Sequence, residues 1–178
     1  MTNSSNFQTI YSDHSSLVFN VCLNYLRNAE DAEEATQDVF IKVHAQHSRF
    51  NEKSSLKTWI YRIAINTCLD RIKAQKAQKR FAQIQSLFGL GTEEKEPADY
   101  NHPGIELEDR EAVSEIMDAI HDLPVNQKTA IILKSIEGLS QKEMSAVMEL
   151  GEKAVESLLS RAKANLKKKL NDRKGNKI

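Results

Sequence analysis

The side chains equipped for chemistry in this chain are charged and amide groups laid along helices, not a nucleophile beside its base. Its His, Cys and acidic residues show no nucleophile–base spacing and the sequence contains no phosphate-binding loop, so no catalytic residue is expected and an enzyme is excluded. His44 and His47 stand i, i+3, a spacing that could suit a metal, but no third ligand of matching spacing accompanies them; neither metal nor cofactor is expected. Cys22 and Cys68 lie among apolar helical neighbours and read as buried reduced thiols, with a disulfide or half of a metal site as the weaker alternative. Charge is segregated instead. Glu30, Asp31, Glu33, Glu34 and Asp38 form an acidic run with no base among them. Asp31, Glu34, Gln37 and Asp38 are placed to meet basic groups of a protein partner, with Phe40 nearby as an apolar anchor, although a solvated helix face explains the same charges. From Lys57 to Arg80 the bases Lys57, Arg62, Arg71, Lys73, Lys76, Lys79 and Arg80 face one acid, Asp70. Bases again dominate from Lys153 onward. The net charge of zero over 178 residues therefore conceals two basic surfaces and two acidic ones, which imply more than one kind of partner.

The elements that position these groups are all helical. Pro and Gly are few (3 and 6) and strand-type alternation is scarce, so the fold class is all-α: two small helical domains joined by an acidic flexible linker, the second a four-helix domain ending in a helix-turn-helix. The apolar spacing predicts helices from about Phe7 to Arg27, Ala29 to Gln46 and Leu56 to Leu87, giving a first domain over 1–87. Residues 88–104, with the segment GLGTEEKEPADYNHPG, read as the linker. The second domain, 105–174, resumes helix near Ile105, stops before Leu123-Pro124, and makes another short helix from Asn126 to Glu137. In GLSQKEMSAVMELGEKAVESLLSRAKANLKKKL, Ser140 and Glu143 make a capping box, Met144, Val147 and Met148 an apolar face, and a second stripe runs Val155, Leu158, Leu159, Ala162, Leu166, Leu170. Two amphipathic helices with so short a connection must cross steeply, the geometry of a DNA-binding helix-turn-helix; a helical hairpin is the alternative. No segment approaches the length of a membrane span and the polar start MTNSSNFQ is not a signal peptide, so a cytoplasmic protein with no membrane insertion is expected.

Three motifs, in order around the acidic segment, carry a resemblance: DAEEATQDVFIKV (Asp31 to Val43), Phe50 followed by WIYRIAINTCLDRIK to Lys73, and DLPVNQKTAIILKSIEGLSQKEMSAVM leading into AVESLLSRAK. The chain resembles the extracytoplasmic-function group of bacterial RNA polymerase sigma factors in the sigma-70 family, from about Phe7 to Leu170. The resemblance implies a promoter-specificity subunit whose partners are core RNA polymerase, promoter DNA (double-stranded −35, melted −10) and an anti-sigma factor. A stand-alone helix-turn-helix transcriptional regulator is the alternative. By the resemblance, the Asp31–Val43 helix docks on the polymerase clamp coiled coil. The loop from Phe50 through Ser54 and Ser55, with Asn66 and Asp70, captures an unstacked −10 base, while Arg62, Arg71, Lys73, Lys76, Lys79 and Arg80 hold phosphates. Trp59 is expected to pack in the core. On the last helix, Lys153, Glu156, Ser157 and Ser160 are candidates for −35 base edges, with Arg161 and Lys163 on phosphates.

The sequence departs from the family pattern at the turn. Glu149 stands where a Gly is usual and Gly151 where a Ser or Thr cap is usual, so either the turn shifts to Gly151 or Glu149 carries strain. Leu158 replaces a frequent Arg.

Overall fold

A computed structural model describes residues 3–47, 50, 54–87 and 110–175. The acidic segment 88–104 and the start of the helix expected near Ile105 lie outside the described residues. The chain divides into two compact units, Met1–Asn101 and His102–Ile178. Every regular element among the described residues is helical.

In the first unit, α1 (Asn3–Leu26), α2 (Ala29–Gln46) and α3 (Leu56–Leu87) pack pairwise as a three-helix bundle. The core is the set of apolar positions that recur at helical spacing: Val18, Val21, Cys22 and Tyr25 from α1, Ala32, Ala35, Val39 and Val43 from α2, and Ile60, Ala64 and Cys68 from α3. The sharp reversal between α1 and α2 is made at Arg27, which adopts φ 59, and α2 then starts where Asn28 accepts from the Asp31 N–H at 2.9 Å. At the start of α3, the Ser55 hydroxyl accepts the Thr58 N–H at 3.1 Å. Cys22 and Cys68 are both free and buried. They meet across the α1–α3 seam as a hydrogen-bonded pair, which lowers the Cys22 thiol and raises Cys68 from the ordinary thiol value.

At 32 residues, α3 is about 48 Å long at 1.5 Å per residue. Its first half fills the bundle. From Lys73 to Phe81 every residue is exposed, so this half carries basic groups past the packing that fixes the first half.

In the second unit, α4 (Arg110–His121), α5 (Val125–Ile131, continued by a π-helical turn over Ile132–Ile136), α6 (Gln141–Met148) and α7 (Glu152–Gly175) surround Met117, Ile120, Ile131–Leu133, Met144, Val155 and Ala162. Pro124 ends the break after α4, and Gly138 ends the π turn. Gly138 adopts φ +69 while the Leu139 N–H reaches back to the Leu133 carbonyl at 2.9 Å, a bond that satisfies an otherwise orphaned carbonyl. The expected uniform helix over Asn126 to Glu137 is thus an α-turn pair that widens at its end, with the Glu137 N–H bonded to the Ile132 carbonyl five residues back.

Candidate nucleic-acid interface

At α6 the local sequence produces the expected capping box. The Ser140 N–H donates to Glu143 Oε2 at 2.8 Å, and the Ser140 hydroxyl accepts from the Glu143 N–H at 3.3 Å. The turn into α7 does not shift to Gly151. Glu149 itself takes the left-handed conformation, φ 55 and ψ 39, and its N–H bonds to the Ser145 carbonyl. Two side-chain bonds hold this turn closed: the Ser145 hydroxyl donates to the Leu150 carbonyl, and the Gln141 amide donates to the Glu152 carbonyl at 2.8 Å. They offset part of a backbone cost of about 1–2 kcal/mol for a residue with a Cβ in this region.

Val155, Leu158 and Ala162 turn inward from α7, so its opposite side is open. Lys153, Glu156, Ser157 and Ser160 are exposed along the middle of that side, while Arg161 and Lys163 are exposed on its two flanks. Leu158, in place of a basic residue, belongs to the buried stripe. Farther along, α7 is tied to α4 by Arg173, whose guanidinium meets Asp122 at 2.7 Å and Asp118 at 3.4 Å. The hydrogen bond to Asp122 is the main cause that raises the Arg173 guanidinium above its ordinary value.

On α3, helical spacing brings Trp59, Arg62, Asn66, Asp70 and Lys73 to one side. Trp59 is half-buried and stacks at a tilt on Phe50, ring centroids 5.1 Å apart, at the head of this row. Asn66 is exposed, and its amide has no hydrogen-bond partner among the described residues. Asp70 and Lys73 form an exposed pair at 3.5 Å. Ser54, just before α3, is half-buried, and Ser55 serves as the cap of α3. Residues 51–53 of the expected loop lie outside the described residues.

Arg71 points away from this row. Its Nη2 and Nε reach Asp38 Oδ2 at 2.6 and 3.2 Å, and its Nη1 reaches Glu34 Oε2 at 3.1 Å. Partial burial works against the charge, yet the bonds to Asp38 and Glu34 outweigh it and raise the guanidinium above its ordinary value. One turn on, the Gln75 amide donates to Asp31 at 3.2 Å. Three of the acidic positions expected to face outward are therefore turned toward α3. Phe40 corrects a second expectation. It is 4% exposed, because Phe7 and Tyr11 of α1 close over it at centroid distances of 6.5 and 4.7 Å, and so it is core rather than an exposed anchor. The apolar residue that does project from α2 is Ile41, 67% exposed, on the same side as Glu33 and Gln37. Sequence spacing could have found it, since Ile41 falls outside the stripe of Ala32, Ala35, Val39 and Val43.

Residues 10–78, spanning the acidic helix and the Trp59–Lys73 row, match sigma-70 region 2, and residues 114–166, spanning the helix-turn-helix, match sigma-70 region 4. The chain belongs to the extracytoplasmic-function (ECF) group of the sigma-70 family. It is 29% identical to the ECF RNA polymerase sigma factor SigW of Bacillus subtilis over 92% of this chain and 86% of that protein. It is likewise 29% identical to the ECF RNA polymerase sigma-E factor of Haemophilus influenzae, over 92% of this chain and 87% of that one. In fold it is similar to the sigma factor RpoE of Bartonella quintana, solved in complex with the anti-sigma factor NepR, with a TM-score of 0.64, 22% identity, and coverage of 93% of this chain and 97% of that one. In this sigma factor, region 2 therefore comprises the α1–α3 bundle and region 4 is centred on the α6–α7 pair. No helix among the described residues is long and apolar enough to cross a membrane.

Proposed function

We propose that this sigma factor directs core RNA polymerase to promoters through three surfaces: the α2 side bearing Glu33, Gln37 and Ile41 together with Glu34 and Asp38 docks on the polymerase, the Trp59–Lys73 side of α3 takes the melted −10 strand, and the outward side of α7 reads the −35 duplex. The observation that carries this reading is the pair of exposed polar helix sides bearing cations, one in region 2 and one in region 4, in a chain whose acidic run Glu30–Asp38 lies on a different helix from both. A single strand exposes base faces and edges, and an aromatic pair with an amide that has no partner among the described residues two turns further along the same side of α3 supports capture of an unstacked base. A duplex is read by short polar side chains along one side of a helix with cations on its flanks, which fits Lys153, Glu156, Ser157 and Ser160 between Arg161 and Lys163. On this reading the protein is a cytoplasmic, non-enzymatic initiation factor, and an anti-sigma protein opposes it.

The test is binding to purified core polymerase. Ile41→Asp combined with Glu33→Lys should weaken the complex by about tenfold or more, since an apolar anchor and a steering charge are both lost. Wild-type affinity in that variant would remove the docking assignment. Tight binding of the free chain to duplex promoter DNA, with none to polymerase, would indicate a stand-alone regulator.

A further inference from the structure

The α2 carboxylates assigned above to a protein partner and the α3 arginine expected to hold a phosphate are, in the free chain, bonded to each other. Asp38 engages Arg71 through one oxygen only; Oδ2 accepts from both Nε and Nη2, while Oδ1 has no partner among the described residues. The side chains of Glu34 and Asp38 are 60% and 45% exposed, and that of Arg71 is 25% exposed. The trio carries two negative charges against one positive, so it still attracts an external cation. Such a cation can approach Asp38 Oδ1 or Glu34 from solvent without displacing any packed group. Once there it competes for the carboxylates and repels the guanidinium.

We propose that Arg71 is an exchange residue: a basic group of the docking polymerase takes over Asp38 and Glu34, and Arg71 is released to a phosphate of the DNA strand held along α3. This rests on the docking and −10 assignments above and adds the order of events. The free chain has one cation fewer for DNA than its sequence suggests, and partner binding supplies it. Exposed ion pairs exchange at little cost, because each is only marginally favourable in water. Lys73, paired with the exposed Asp70 on the same helix, has no tie to α2 among the described residues and is not governed this way.

Asp38→Asn mimics the docked state by weakening the hold on Arg71. With the full chain and a single-stranded oligodeoxynucleotide at low salt, Asp38→Asn should bind about three- to tenfold more tightly than wild type. Its salt dependence should steepen by about 0.7, the increment for one further phosphate on a single strand. Asp13→Asn on α1 makes the same change of net charge at an exposed site with no ion pair among the described residues and measures the nonspecific part. Arg71→Gln/Asp38→Asn should lose the gain, and Glu34→Gln should reproduce it more weakly. An Asp38→Asn gain equal to that of Asp13→Asn overturns the exchange, as does a gain that survives in the double variant or binding undetectable in wild type and Asp38→Asn alike. These results leave the polymerase measurement with Ile41 and Glu33 untouched, so failure of the exchange and failure of the docking assignment are read separately.

Discussion

Helices α3 and α7 each carry an exposed polar side, proposed above to meet nucleic acid, but they are anchored differently. The exposed polar side of α7 is backed by an apolar stripe of Val155, Leu158 and Ala162, and its ion-pair anchor among the described residues, Arg173 with Asp118 and Asp122, lies toward its far end, well beyond the exposed polar set. Helix α3 has apolar backing as well, from Ile60, Ala64 and Cys68, but its charged brace lies within the segment of interest: Arg71 and Gln75 tie it to the acidic side of α2 beside Asp70 and Lys73. Apolar backing makes a binding surface independent of its surroundings. Charged bracing couples a binding surface to whatever engages the brace. On the reading proposed above, region 4 is a fixed reader and region 2 a surface whose cation supply depends on its partner.

The difference can be broken at either end. The largest effect is expected at the α7 backing. Val155→Asp places a carboxylate where the side chain is fully buried, which should cost region 4 more than about 3 kcal/mol and unfold it. Thermal unfolding followed by circular dichroism should show loss of one transition, with polymerase docking through α2 retained. On α3, Asn66→Ala should leave polymerase affinity unchanged and lower open-complex formation by about tenfold, the loss of one to two hydrogen bonds to a captured base. Permanganate reactivity of the melted strand reads this, and an unchanged footprint would make Asn66 a surface amide only. On α7, Glu156→Ala should relax preference at individual −35 positions by about 1–3 kcal/mol, measured by selection from a randomised −35 library. The smallest effects concern the anchors. Arg173→Ala should destabilise region 4 by about 1 kcal/mol or less, and less still at high salt, because the pair is largely exposed. Glu149→Gly should stabilise it by about 0.5–1 kcal/mol in denaturant titration, by relieving the left-handed backbone at the turn.

The helices were legible in the sequence because their apolar positions recur at helical spacing. Leu56–Leu87 and the Ser140–Glu143 box follow from local residues alone. The polar sides of α7 and of the Asn66–Asp70 segment were legible for the same reason, being what remains once the apolar stripe is assigned. Three features were not. Phe40 looked like an anchor because its neighbours are acidic; only the arrival of Phe7 and Tyr11 from α1 buries it. Arg71 looked like one phosphate contact among several, since nothing local reveals a partner 33 residues away on another helix. The turn at Glu149 was ambiguous because its left-handed backbone is held by Ser145 and Gln141, side chains whose roles emerge only once α6 and α7 cross. Helical period reports which side of a helix is buried. It does not report which charged side chains then find each other.

Promoter-directed initiation by this chain is tested most directly by transcription reconstituted from purified core polymerase and genomic DNA of the organism that encodes it, with start sites mapped at nucleotide resolution. Addition of the wild-type chain should produce a defined set of starts preceded by common −10 and −35 elements. That set should shrink with Asn66→Ala and broaden at the −35 element with Glu156→Ala. Start sites identical to those of core polymerase alone, from a chain that binds that polymerase, would contradict the account.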